Sequence, residues 1–137
     1  MPISSEPQYV LIAEDNLINQ TCLNRQLMKY GFYTALASNG RQAIETVKEL
    51  ARNSQGLPQR FSVILMDCEM PIMDGFSAVR EIRRMEATGE LPSRSRIFAL
   101  TGNTRAAQIQ SARDAGMDEI FIKPYRLEDL VTKIREM

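Results

Sequence analysis

Five short, mostly apolar runs, the first of them unbroken, alternate along the chain with longer segments in which apolar residues recur every three or four positions. An unbroken run is typical of a strand buried on both faces, and the longer segments are typical of amphipathic helices. The sequence therefore predicts an α/β fold, in which five helices cover both faces of a five-stranded, doubly wound parallel sheet. The predicted strands occupy residues 9–13, 32–37, 61–66, 96–100 and 120–122.

The length of the chain fits one such sheet. At roughly 150 residues per domain, 137 residues predict a single domain. We divide the chain into a flexible lead-in at residues 1–8, which is polar and contains two prolines, and one domain at residues 9–137. No apolar run approaches the roughly 18 residues of a membrane span, so we expect no membrane contact.

Charge and composition exclude several classes of function. Seventeen Lys and Arg balance seventeen Asp and Glu, so the basic surplus that is typical of nucleic-acid binding is missing. The absence of histidine excludes a histidine base, nucleophile or metal ligand. Cys22 and Cys68 form no C-x-x-C pair, and we interpret them as partly buried thiols of a protein in a reducing compartment, the cytoplasm.

Three local patterns carry further predictions. Asn16 or Asp15 caps the first helix, whose apolar residues recur at helical spacing. An Asn-Gly pair after the second strand predicts a turn, and three arginines of the third helix predict a solvated face. The first helix has Ile18, Cys22, Leu23, Leu27 and Tyr30 at these apolar positions, the turn is Asn39-Gly40, and the arginines are Arg80, Arg83 and Arg84.

Polar residues whose side chains can bind ligands or take part in catalysis follow four of the five predicted strands. Glu14 and Asp15 follow the first strand, Asp67 the third, Thr101 the fourth and Lys123 the fifth. Alone, each has an ordinary structural explanation, such as helix capping or a solvated charge. In an open parallel sheet, however, ligands bind beyond the carboxyl ends of the strands, where these residues converge.

Together, the strand-end residues indicate phosphoryl chemistry. Three acids at one edge raise one another's pKa unless a positive charge lies among them. Mg²⁺ binds such oxygen ligands together with phosphate oxygens. A hydroxyl and an ammonium group beside the metal bind the remaining oxygens of a phosphoryl group. The set therefore predicts an aspartyl-phosphate site with a carboxylate nucleophile, a magnesium ion and two donors.

The motifs around these residues resemble the receiver domain of two-component response regulators. The matching stretches are VLIAEDN at 10–16, VILMDCEMPIMDG at 63–75, IFALTGN at 97–103 and IKP at 122–124. The Glu-Asp pair with the following Asn16, and MDCEMP at 66–71, are most similar to receivers fused to hybrid histidine kinases. The resemblance runs from residue 9 to residue 137 and implies the flavodoxin-like strand order 2-1-3-4-5.

The resemblance implies a role for each strand-end residue. Asp67 matches the aspartate that accepts the phosphoryl group. Asp15 matches a direct ligand of Mg²⁺, and Glu14 matches the acid that usually reaches the metal through water. Thr101 and Lys123 match the hydroxyl and the ammonium group that bind the phosphoryl oxygens.

Three neighbouring residues complete the implied site. Glu69 would give the metal its backbone carbonyl, and Gly102 would leave room for the phosphoryl group. The side chains of Glu69 and Asn103 occupy positions that, in this family, influence how long the phosphoryl group survives.

One position departs from the family pattern. Receivers often carry a Tyr or Phe three residues before the lysine, and its movement reports phosphorylation, but this chain has Ile120 there. Phe121 is displaced by one residue, which in a strand points it to the opposite face. We therefore expect no aromatic switch, with Ile120 a core residue of its strand and the loop after Thr101 as the remaining switch position.

The implied partner is a histidine kinase or a histidine phosphotransfer protein, because this chain has no histidine to donate a phosphoryl group. Leu17 and Ile18, which follow the acidic pair, are either part of the core or part of a surface on which similar receivers bind a helical phosphotransfer partner. We expect an acceptor rather than a stand-alone turnover enzyme. We expect the chain to be either a free relay or part of a larger kinase.

Three alternatives remain at this point. A haloacid-dehalogenase-type phosphatase has a similar set of residues, but its nucleophile follows the first strand and its acid pair comes late. A flavodoxin-like FMN carrier needs a phosphate-binding loop where Glu14 and Asp15 would repel phosphate. A phosphorylation-silent interaction domain would share the fold, although no residue of the site is missing.

Overall fold

Strands and helices alternate along the whole described chain. The structure, a computed structural model, describes residues 8–53, 60–70 and 72–136. The elements are β1 (Tyr9–Ala13), α1 (Leu17–Lys29), β2 (Tyr33–Ala37), α2 (Gly40–Asn53), β3 (Val63–Asp67), α3 (Gly75–Thr88), β4 (Arg96–Thr101), α4 (Ala106–Ala115), β5 (Glu119–Ile122) and α5 (Leu127–Arg135). The predicted α/β class is confirmed, and strand bounds differ from the predicted ones by at most two residues. Residues 1–7 of the predicted lead-in lie outside the described residues.

The five strands form one parallel sheet in the order β2-β1-β3-β4-β5, as the sequence predicts. The chain moves to one side of β1 to form β2 and then crosses to the other side to form β3. The strand order therefore reverses between β1 and β3, where ligands bind in folds of this kind. Ala13 pairs with Met66 at that point, so Glu14 and Asp67 follow neighbouring strands at the same edge.

Two apolar layers cover the sheet. Val10 and Ile12 of β1 face a layer formed with α1 and α5, whereas Leu11 and Ala13 face a layer formed with α2, α3 and α4. This division follows from the alternation of side chains along a strand. All five residues of β3 are buried, which explains why its sequence is unbroken and apolar up to Asp67. No helix within the described ranges is both long and apolar enough to cross a bilayer.

The buried stripe of α1 differs from the predicted one. Its buried residues are Gln20, Leu23 and Leu27, whereas Ile18 is 74% exposed and Cys22 is also exposed. The predicted partial burial of Cys22 and the core interpretation of Ile18 are therefore wrong; Tyr30, 39% exposed, also lies outside the stripe. Gln20 takes a core position because its side-chain Nε2 donates two hydrogen bonds to backbone carbonyl oxygens at the strand ends.

The predicted Asn39-Gly40 turn is instead the beginning of α2. The side chain of Asn39 accepts a hydrogen bond from the N–H of Gln42 at 2.9 Å, which satisfies a free donor of the first turn. Gly40 is the first residue of the helix, and its N–H donates to the carbonyl oxygen of Met73 at 3.0 Å. A Cβ at Gly40 would overlap that oxygen, so the glycine permits close packing against the loop before α3.

Arg83 is not part of a solvated face, contrary to the prediction. Its side chain is 16% exposed and donates to the carbonyl oxygens of Gly116 and Ser95 at 3.0 and 2.8 Å. It also pairs with Glu86 at 2.6 Å and Asp118 at 2.9 Å. Arg83 follows the buried Ile82 and thus lies at the border of the inward stripe of α3, close to the turn between α4 and β5.

The other two arginines of α3 agree with the prediction. Arg80 and Arg84 are exposed, and Arg84 pairs only with the surface acids Glu81 and Glu90 among the described residues. The solvated face of α3 therefore consists of these two arginines without Arg83.

Candidate functional site

Asp67 is the last residue of β3 and is 3% exposed. One carboxylate oxygen, Oδ1, accepts a hydrogen bond from the N–H of Glu69 at 3.0 Å. The other, Oδ2, accepts one from Nζ of Lys123 at 3.2 Å. Two donors thus fix the orientation of a buried carboxylate at the carboxyl edge of the central strand.

Glu14, Asp15 and Asp67 form an acidic cluster. Each can offer one carboxylate oxygen such that the three oxygens lie within 4.8 Å of one another. Glu14 is 5% exposed, and its Oε2 accepts from the N–H of Asn16 at 3.0 Å. Asp15 is exposed. The cluster therefore has two buried walls and one open side.

The charges within this cluster are only partly balanced. Burial raises the pKa of Glu14 to about 7, and the adjacent charge of Asp67 acts in the same direction. Burial alone would lower the pKa of Lys123, but the carboxylates of Asp67 and Glu14 outweigh it, so the pKa rises and the ammonium stays charged. One ammonium lies beside three carboxylates, with Nζ 3.7 Å from Oε1 of Glu14.

The chemistry of the cluster fits a hard divalent cation. All its donors are carboxylate oxygens, which Mg²⁺ prefers, and its open side leaves room for the water molecules that this ion retains. A cation there would also offset the negative charge of Asp67, which adds to the effect of burial on the pKa of Glu14. The residues present can therefore hold Mg²⁺.

Thr101 and Lys123 lie beside Asp67 at the ends of β4 and β5. Thr101 is 1% exposed, and its carbonyl oxygen accepts the N–H of Lys123 at 2.7 Å. Its hydroxyl donates to Oε1 of Glu69 at 3.1 Å and accepts the N–H of Asn103 at 3.0 Å. The structure therefore places a hydroxyl and an ammonium at the same edge as the acidic cluster.

An open cleft of about 470 Å³ adjoins this edge, lined by Glu69, Gly102, Asn103, Thr104 and Arg105. A Cβ built on Gly102 would meet no atom within 4 Å. The space above the loop after β4 is therefore unobstructed.

Cys68 is chemically quiet although it follows Asp67. It is 2% exposed, and burial raises the pKa of its thiol to about 12. The thiol therefore remains protonated at neutral pH and acts as a small apolar group.

Ile120 and Phe121 point to opposite faces of the sheet. Ile120 packs against the layer that contains α3 and α4, and Phe121 packs against the other layer. The ring of Phe121 contacts those of Phe98 and Tyr125, with centroids 5.7 and 5.9 Å away. Phe121 therefore belongs to an aromatic group on the side away from α4.

Gln20 supports the site and was not predicted from the sequence. Its side-chain Nε2 donates to the carbonyl oxygens of Glu14 and Ala37, both at 3.1 Å. This amide thus ties α1 to the ends of β1 and β2. A signal was present, because Gln20 stands three and seven residues before Leu23 and Leu27, on the same helix face.

The backbone of Asp67 leaves no room for a side chain at position 75, which is a glycine. Its N–H donates to the carbonyl oxygen of Cys68 at 3.2 Å, and a Cβ there would overlap the carbonyl oxygen of Asp67. We expect Gly75→Ala to lower the free energy of unfolding by about 2 kcal/mol, measured by urea denaturation. Gly102→Ala, the matched control, should change it by less than about 0.5 kcal/mol; equal stability of the two variants would contradict the steric requirement.

Comparisons with known proteins agree on one family. The family model described as response regulator receiver domain matches residues 10–135. The peroxide stress-activated histidine kinase mak1 of Schizosaccharomyces pombe is 36% identical over 121 residues, which cover 88% of this chain and 7% of that kinase. The chain therefore spans only a small part of the length of this relative.

Two solved structures of similar sequence share the fold. The receiver domain of the histidine kinase CKI1 from Arabidopsis thaliana, complexed with Mg²⁺ and BeF₃⁻, has a TM-score of 0.80 and 31% identity, covering 93% of this chain and 89% of that one. The co-crystal structure of the Saccharomyces cerevisiae phosphotransfer protein Ypd1 and the receiver domain of Ssk1 gives a TM-score of 0.80 and 31% identity, with 93% and 86% covered.

Proposed function

The chain belongs to the response regulator receiver domain family, and on that basis we propose that Asp67 accepts a phosphoryl group from a phosphohistidine of a partner protein. The observation that carries this proposal is the convergence of a buried carboxylate, two further acids and one ammonium at the edge between β1 and β3. The family assignment decides against the haloacid-dehalogenase-type phosphatase and the flavodoxin-like carrier.

The proposed reaction transfers one phosphoryl group. A carboxylate oxygen of Asp67 forms a bond to phosphorus, and the P–N bond to the donor imidazole breaks, with its electron pair remaining on the nitrogen. Lys123, already 3.2 Å from Asp67, neutralises charge on the phosphoryl oxygens. In the product, the hydroxyl of Thr101 donates a hydrogen bond to one of the phosphoryl oxygens.

The proposed metal ligands are the carboxylates of Glu14, Asp15 and Asp67 and the backbone carbonyl of Glu69. Their all-oxygen chemistry and the Mg²⁺ complex of the similar CKI1 receiver support this assignment. When bound, Mg²⁺ would offset negative charge between the acceptor and the incoming phosphoryl group. Glu14 and Asp67 shape the buried side of the site, whereas Asp15 reaches it from the solvent side.

The proposed donor is a histidine kinase or a histidine phosphotransfer protein. The chain contains no histidine, and similar proteins include a histidine kinase and a receiver crystallised with a phosphotransfer protein. Leu17 and Ile18, 71% and 74% exposed at the start of α1, offer an apolar surface directly beside the acidic cluster. We assign the docking of a helical partner to these two residues, and we place the reaction in the cytoplasm, which agrees with the free thiols of Cys22 and Cys68.

The signal in this proposal is the added charge. An acyl phosphate on Asp67 carries about −1.5 to −2 charges if it titrates as other protein phosphates do, in place of the single negative charge of the carboxylate. That charge acts on the loops after β3, β4 and β5, which begin beside Asp67, Thr101 and Lys123. Since Ile120 has no ring to reorient, the loop after Thr101 is the proposed switch.

The test is intact-mass spectrometry after incubation with a small-molecule phosphodonor such as phosphoramidate. We expect one adduct with the mass of a single phosphoryl group when Mg²⁺ is present. With EDTA in place of Mg²⁺, the adduct should be lost. A protein that stays unlabelled under both conditions would instead be a phosphorylation-silent interaction domain.

A further inference from the structure

The hydroxyl of Thr101 already has both of its hydrogen-bonding roles filled. It accepts the N–H of Asn103 at 3.0 Å and donates its proton to Oε1 of Glu69 at 3.1 Å. Glu69 itself is exposed, and its side chain extends from the loop after β3 to the end of β4. This contact joins two loops that both border the phosphoryl site.

A threonine hydroxyl carries a single proton. If Thr101 donates that proton to Glu69, it cannot at the same time donate it to a phosphoryl oxygen. The product state proposed above requires the hydrogen bond from Thr101 to a phosphoryl oxygen. Formation of the acyl phosphate must therefore break the hydrogen bond from Thr101 to Glu69.

The negative charge of Glu69 also opposes entry of a phosphoryl group. Its carboxylate is a fourth negative group near Glu14, Asp15 and Asp67, where Lys123 is the ammonium that the structure brings to the site. It also lines the cleft beside Gly102. Phosphoryl oxygens that enter beside Thr101 would meet a like charge, which is unfavourable in a partly buried site.

We propose that the side chain of Glu69 is a latch, which holds the Thr101 hydroxyl in the unphosphorylated state and slows phosphoryl uptake. Glu69 is in this respect a positioning residue, because it acts through Thr101. The inference rests on the proposed function. It concerns the uptake step, whereas the family resemblance implies an influence of this position on the lifetime of the product.

The experiment compares two neutral replacements of Glu69. Gln can still accept the Thr101 proton through its amide oxygen, whereas Ala cannot, and both lack the charge. In Glu69→Ala, the initial rate of labelling by phosphoramidate at saturating Mg²⁺ should exceed that of Glu69→Gln by roughly three- to tenfold. In a Thr101→Ala background the two replacements should give equal labelling rates, because the Thr101 hydroxyl that residue 69 would hold is no longer present.

Charge and stability have separate controls. Glu128, an exposed acid in the first turn of α5, follows β5 at the same edge of the sheet, and Glu128→Gln should label at the wild-type rate. Glu69→Gln should label faster than the wild type and faster than Glu128→Gln, because neither of those removes the charge beside Thr101. Urea denaturation verifies that the variants are folded, and decay of the adduct is recorded separately from its formation.

The outcomes separate the latch from the function itself. Equal uptake by Glu69→Gln and Glu69→Ala with Thr101 present overturns the latch, and so does a difference that persists without Thr101. If labelling is too slow to measure in the Thr101→Ala background, the comparison with Thr101 present decides alone. A wild-type protein that takes no label at all refutes the proposed function instead.

Discussion

Asp67→Asn will form no phosphoryl adduct under conditions that fully label the wild-type protein. The amide keeps the size of the side chain and an oxygen that can accept the N–H of Glu69. It lacks the negative charge that attacks phosphorus and pairs with Lys123. Loss of the nucleophile therefore abolishes labelling while the fold is retained, and intact-mass spectrometry measures both species directly.

Asp74→Asn is the matched control for this prediction. Asp74 caps α3, with its Oδ1 accepting the N–H of Ser77 at 2.8 Å, and Asn caps helices about as well as Asp. The same chemical change seven residues later along the chain should leave the adduct intact. Labelling of Asp67→Asn to the wild-type extent would show that a different residue accepts the phosphoryl group.

Arg83→Met will lower the free energy of unfolding by about 3 kcal/mol. The guanidinium pairs with Glu86 on the same helix and joins α3 to Asp118 and to two backbone carbonyls. Methionine can replace its apolar stem but none of its donors, so several partly buried acceptors lose their partner. The loss is at the lower end of the usual range, because Asp118 is 28% exposed and keeps Arg94 at 2.6 Å.

Arg84→Met, the same replacement one residue later, should leave the urea denaturation midpoint close to that of the wild type. Arg84 is half exposed, and its partners are surface acids, whose ion pairs contribute little. Both variants should keep the wild-type dependence of the free energy on urea concentration. If they lose the same stability, the Arg83 network contributes no more than a surface ion pair.

The sheet and the residues at its edge could be predicted from local sequence. Short apolar runs such as 9–13 and 63–66 mark strands buried on both faces. Once the strands are known, parallel topology brings the residues that follow them to one edge. Glu14, Asp67 and Lys123 could therefore be grouped before any coordinates, although they are distant along the chain.

The helix faces were harder to predict, because buried polar groups depend on partners that are remote in sequence. Gln20 finds an acceptor at Ala37, 17 residues away, and Arg83 finds one at Asp118, 35 residues away. Helical periodicity records only the apolar members of a buried stripe. It therefore left Ile18 open between the core and the surface, and it placed Arg83 in the solvent.

The two hydrogen bonds of Gln20 have a consequence for partner recognition. They fasten the first turns of α1 to the same strand-end backbone from which Glu14 projects. Leu17 and Ile18 thus lie on a helix turn whose position is fixed before a partner protein binds. Association therefore need not order this helix, so the proposed docking surface and Asp67 are held in fixed relative positions before a partner binds.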